Sequence, residues 1–140
     1  MGLDNGIILK NSFIKRNEIP DYIKLFEFQQ DDTLDICYWR KCWNIRHMIL
    51  NAIKHKDKND QGYYELTIEN LLDIIDGLYH YICVPEDWAI SVDSIMNVSS
   101  IWSFEEILPS LAQDLVNLSW LVKLLQDPRF KGDVYFYDSY

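Results

Sequence analysis

From Tyr38 to Asn51 the chain reads YWRKCWNIRHMILN, and its polar and apolar side chains separate at helical spacing. Arg40, Asn44, His47 and Asn51 fall one above another on a single stripe. The opposite stripe, Tyr38, Cys42, Ile45, Ile49 and Ala52, is apolar and suited to a core, while Trp39, Trp43 and Leu50 line one border of the polar side. A fold containing this segment must give a long amphipathic helix an apolar layer to cover. The polar stripe reads either as a solvated face or as a cationic, aromatic-edged strip able to receive an anionic or planar group.

The expected helix runs from about Leu34 to Lys54. Asp31, Asp32, Thr33 and Asp35 stand at its start, and His55, Lys56 and Lys58 at its end, where the helix dipole favours each sign. A second helix is expected from an N-cap at Thr67 to about Tyr81, burying Ile68, Leu71, Leu72, Ile75, Leu78 and Tyr79. Glu69, Asn70, Asp73 and Asp76 then form its other side. Gly77 within it marks close packing or early fraying. Ser103 and Glu106 fit a capping box. Pro109 is expected to break that turn from a longer helix over Ser110 to Gln126, whose apolar face carries Leu111, Leu115, Leu118, Leu121, Leu124 and Leu125.

Three strands complete the reading: Gly6 to Lys10, Tyr22 to Gln29, and Asp133 to Asp138 paired with the first. Between Cys83 and Trp102 periodicity fades, as in a binding loop, with Trp88 and Trp102 read as its anchors on the core. The expected fold is a single α+β domain over residues 1–140, three main helices packed on a small sheet that contains the N- and C-terminal strands.

Charge narrows the function classes. Met1 to Lys58 holds ten Lys or Arg against eight Asp or Glu, whereas Asn59 to Tyr140 holds three against fourteen. Such a surface disfavours duplex nucleic acid, whose binding requires several cations to displace condensed counterions. The acidic half suits instead a basic surface on a protein partner. Glu69, Asp73, Asp76, Glu105 and Glu106 are the candidate partner-binding residues, able with Glu65 and Asp114 to imitate the negative surface of nucleic acid. The alternative is ordinary solubility charge.

Cys37, Cys42 and Cys83 lack metal-ligand spacing and read as reduced thiols; with His47, His55 and His80 they suggest no zinc site. No cofactor motif is present: Gly2 and Gly6 form no phosphate loop. Charged residues interrupt every apolar run before it could cross a bilayer. These features together lead to the expectation of a cytoplasmic protein. For catalysis, His47 lacks a carboxylate one turn away and no Ser or Cys nucleophile stands in a motif, so the reading leans away from an enzyme. The alternative function is nucleotide binding or processing by Arg40, Asn44, His47 and Asn51.

MGLDNGI at the start, Tyr38-Trp39-Arg40-Lys41 in the middle and YFYDSY at the end resemble, in that order, three pieces of a family of small bacteriophage and prophage proteins. These are its MGLDMYL opening, the first half of its central YWRKAN-x-IH element and its aromatic end. Ile45 keeps the family's Ile, while Cys42 replaces its Ala, Trp43 its Asn and Arg46 its His. The resemblance implies a phage-encoded accessory factor that alters host physiology or blocks host defence. Its expected partner is a host protein such as a nuclease or an immune effector.

Overall fold

The computed structural model describes residues 3–25, 27–28, 33–89 and 102–140. Its elements are β1 (Asp4–Lys10), β2 (Glu27–Phe28), β3 (Leu34–Arg40), α1 (Trp43–Ala52), β4 (Tyr64–Glu65), α2 (Ile68–Cys83), α3 (Phe104–Leu125) and β5 (Asp133–Ser139), with short 3-10 turns at Arg16–Glu18 and Pro85–Ala89. The strands form one antiparallel sheet in the order β2-β3-β1-β5-β4, so both chain ends lie side by side at its centre. The expected α+β architecture holds.

Period-two alternation decides which sheet face is covered. Leu3, Ile7 and Leu9 share the buried face with Cys37 and Trp39 from β3 and with Val134 and Phe136 from β5. The helices pack there, chiefly through Ile45 and Ile49 of α1, Leu71, Ile74 and Leu78 of α2, and Leu111, Leu118 and Leu121 of α3. Gly77 brings α1 and α2 together: a Cβ there would run into the Met48 side chain. The expectation of close packing at Gly77 is met, and α2 continues past it to Cys83.

The first helix is the main correction. Residues 34–40 are strand, and helix begins only at Trp43. These residues alternate about a bulge at Ile36, with Leu34, Cys37 and Trp39 on the buried face and Asp35, Tyr38 and Arg40 on the other. Pairing with β1 satisfies a row of backbone groups that a helix would leave without a neighbour. Lys41 then turns the corner in the left-handed region, φ 55°, and its N–H donates to Leu3 O at 2.6 Å. Asp31 and Asp32, expected as caps, lie outside the described residues.

Two further expectations shift for identifiable reasons. Of the strand expected over Tyr22 to Gln29, only Glu27–Phe28 pairs among the described residues, with β3. The preceding residues are held by α3 instead: Gln113 Nε2 donates to Tyr22 O at 3.0 Å and Asn117 Nδ2 to Lys24 O at 3.1 Å. The same Asn117 amide donates to Ile36 O at 3.0 Å. Ile36 is the extra residue where the β1–β3 register slips, so a buried amide satisfies a carbonyl that the bulge takes off the ladder. Pro109, expected to break α3, sits inside an unbroken helix from Phe104 to Leu125. It lies in the second turn on the exposed side, where the Ser103–Glu106 capping box and buried Ile107 and Leu111 secure the flanking turns. Of the irregular stretch between Cys83 and Trp102, residues 90–101 lie outside the described residues. Its two tryptophans are anchors as expected: Trp88 is buried and donates from Nε1 to Trp102 O at 2.7 Å, and Trp102 donates from Nε1 to Arg40 O at 3.0 Å.

Candidate functional site

The start of β1, the end of β3 and the end of β5 meet at one end of the sheet. β1 lies between β3 and β5, with Asp4 opposite Arg40 on one side and Ser139 on the other, and Asn5 opposite Trp39 and Asp138. Tyr38 donates its hydroxyl proton to Asp4 Oδ1 at 2.5 Å across the first pair of strands. Asn5 is fully buried, its Nδ2 donating to Trp39 O at 3.0 Å.

Asp138 follows Val134 and Phe136 on the buried face of β5, so its carboxylate points inward and needs cations. Two reach it: Arg46 Nε at 2.8 Å from α1, and Lys58 Nζ at 2.8 Å from the connection after α1. Burial alone would push the Asp138 carboxyl up; the hydrogen bonds and charges of Lys58 and Arg46 outweigh it and hold the group below the ordinary carboxylate range. Lys58 is correspondingly raised, first by its hydrogen bond to Asp138. The Arg46 guanidinium also donates to the Tyr140 hydroxyl at 3.2 Å and lies over the rings of Trp43 and Tyr140. This cluster fastens the last strand to the first helix. It presents two cations around one anion and no nucleophile.

The four residues expected to form one ligand stripe do not form it. Arg40 is exposed on a strand, before the corner. Asn44 is 0% exposed, its Nδ2 donating to Trp88 O at 3.2 Å while its backbone carbonyl accepts from the Tyr81 hydroxyl at 3.3 Å. It locks α1 against α2 and the following turn. His47 and Asn51 follow Asn44 on the same side of α1 but are exposed, and Asn51 Oδ1 lies 2.8 Å from His55 Nε2. The four residues therefore do not present one ligand-gripping strip, because Arg40 belongs to a strand and the Asn44 amide is buried and engaged by Trp88.

The acidic residues fare differently. Glu69, Asp73 and Asp76 are all exposed on α2, whose buried side is Leu71, Ile74, Leu78 and Tyr81. That phase corrects the expected core of this helix: Leu72 and Tyr79 are turned outward, 47% and 56% exposed. At about 100° per residue, Glu69, Leu72, Asp73, Asp76 and Tyr79 span about 120° of helix surface, with the two apolar side chains along one flank of the carboxylates. Thr67 starts the helix as expected, its Oγ1 accepting from the Asn70 N–H at 3.1 Å while Asn70 Oδ1 accepts from the Thr67 N–H at 3.0 Å. At α3, Glu105 is exposed, but Glu106 is engaged by its own helix: its Oε1 accepts from the Ser103 N–H at 2.9 Å, a bond that lowers its pKa.

The chain matches no family model, no curated protein and no solved structure. Among the described residues no helix is long and apolar enough to cross a membrane.

Sequence reasoning missed the Arg46–Asp138–Lys58 cluster. A signal was present, since an acid with the parity of Val134 and Phe136 belongs to the buried face of a strand and calls for a cation. Asp114, expected on the acidic surface, is instead buried between Leu111 and Leu118 on the core side of α3, where it accepts from Trp39 Nε1 at 2.7 Å.

Proposed function

We propose that this chain is a phage-encoded accessory protein that acts in the host cytoplasm by docking the outward face of α2 on a basic surface of a host protein, inhibiting or redirecting it. The observation that carries the reading is the exposure of Leu72 and Tyr79 beside Glu69, Asp73 and Asp76. Charge alone steers an encounter and weakens with salt, whereas an apolar pair flanked by carboxylates adds a desolvated centre to the contact. A groove that normally holds nucleic acid supplies the complementary chemistry, because its cations and its stacking or apolar floor answer both parts of this face. The resemblance of the three sheet segments to phage proteins supplies the host context.

Affinity capture from host lysate tests the reading. The wild-type chain is expected to retain a protein at low ionic strength and release it at high, and nucleic acid is expected to compete for that protein. Glu69→Lys, Asp73→Lys and Asp76→Lys combined are expected to abolish capture. A captured protein retained equally by the charge-reversed chain, or indifferent to competing nucleic acid, would refute nucleic-acid mimicry by this face.

A further inference from the structure

Between Asn59 and Tyr140 the chain has only three cationic side chains, Lys123, Arg129 and Lys131. All three border one groove. It consists of two adjoining depressions that share Trp120 and Leu124 on the outer side of α3, one of about 440 Å³ walled also by Phe13, Ile14 and Phe130, the other of about 500 Å³. Phe13 is 78% exposed, with its backbone in the left-handed region at φ 55°, which holds an aromatic ring out at the groove mouth. The Ser12 hydroxyl in the same wall is buried without a hydrogen-bond partner among the described residues.

The carboxylates of the groove are already engaged. Glu18 accepts from the Lys15 N–H at 3.1 Å, and Asp127 pairs with Arg129 at 3.0 Å. Lys123, Arg129 and Lys131 against Glu18 and Asp127 leave the rim one charge positive on a molecule of net charge −9. An acidic segment carrying large apolar side chains fits such a groove, and the α2 face is one. We infer that a second copy of this chain seats its α2 face in the groove, with Leu72 and Tyr79 against Trp120 and Phe130 and with Asp73 and Asp76 toward Lys123 and Lys131. The contact joins different surfaces, so each molecule has one donor and one acceptor face, and association proceeds head to tail into a ring or chain. Self-association and partner docking then compete for α2, while the groove belongs to self-association alone.

Sedimentation of the full chain over a range of concentrations, at low and at high salt, tests the inference. The wild type is expected to grow beyond a dimer with concentration at low salt, and to revert to monomer where the screening length contracts to about 3 Å near 1 M salt. Asp73→Lys with Asp76→Lys, and separately Lys123→Glu with Lys131→Glu, are expected to leave monomers. Mixed in equal amounts, the two variants are expected to associate again, since the intact α2 face meets the intact groove and the two reversed faces are themselves complementary in charge. Melting curves check that the exposed substitutions leave the fold intact; if a reversal unfolds the chain, the neutral pairs Asp73→Asn with Asp76→Asn and Lys123→Gln with Lys131→Gln are expected to weaken association at least tenfold. A wild type monomeric at low salt throughout, single-face variants that still associate, or a mixture that stays monomeric would each overturn it. The groove variant keeps its α2 face and is expected to retain host-protein capture, which separates failure here from failure of the partner reading.

Discussion

Trp39 and Asp114, 75 positions apart, are joined inside the core by a hydrogen bond of 2.7 Å from the indole Nε1–H to the carboxylate. Burial pushes the Asp114 carboxyl up to about 7, against the smaller lowering effects of the Trp39 and Cys37 hydrogen bonds. The unfolded group titrates near 3.8, so the folded state holds the extra proton between that pH and about 7. Stability is therefore full below about pH 4 for this group and falls progressively to about pH 7, by up to about 4 kcal/mol. In urea unfolding from pH 4 to 8, Asp114→Asn, which keeps an acceptor for Trp39, is expected to remove this decline. Parallel pH profiles for wild type and variant would contradict it.

Asp138 has the opposite sign. Its folded pKa lies below the ordinary value, so its stabilisation is present above the unfolded carboxylate pKa and is lost as pH falls through the depressed folded one. Asp138→Asn leaves Arg46 and Lys58 facing each other without their anion, and is expected to cost about 2 kcal/mol near neutral pH by chemical denaturation, less than for a fully buried pair because both cations reach solvent. The loss is expected to vanish in acid.

Gly6 stands in the middle strand where a Cβ would meet the Cys37 carbonyl oxygen and, at 2.9 Å, the Tyr137 hydroxyl. A backbone oxygen in a paired ladder has no room to yield. Gly6→Ala is expected to destabilise the chain by about 2 kcal/mol, read from the urea midpoint, despite the usual gain in strand propensity over glycine.

Helix α1 ends in a Schellman motif: the His55 N–H donates to Leu50 O at 2.8 Å and the Lys54 N–H to Asn51 O at 3.0 Å. Lys54 at φ 56° occupies the left-handed position that glycine fills without steric cost. Lys54→Gly is expected to raise stability by roughly 0.5 kcal/mol in thermal melts, the relief of the left-handed strain exceeding the added freedom of the unfolded chain.

The elements legible in the sequence were those specified locally. The caps at Thr67 and Ser103 each need only residues three positions apart, and the alternation of Val134 and Phe136 marks β5 without reference to any other strand. Leu34 to Arg40 is not legible as strand because the bulge at Ile36 interrupts its alternation, and the choice rests on a partner strand some 30 positions earlier. The phase of α2 depended on Met48 meeting Gly77, which turns Leu72 and Tyr79 to solvent. Of the candidate residues, the acidic face of α2 was legible because exposure of charge is the default. The Arg46–Asp138 contact spans 92 positions and was not.

The central claim is that α2 docks through carboxylates and an apolar pair acting together. Its most direct measurement is the affinity of the captured host protein for the wild-type chain, for Leu72→Ser with Tyr79→Ser, and for the Glu69, Asp73 and Asp76 reversal, at low ionic strength. The account expects each variant to bind at least about 100-fold more weakly, about 2.7 kcal/mol, with melting temperatures close to wild type. Affinities of both variants within twofold of wild type would contradict it.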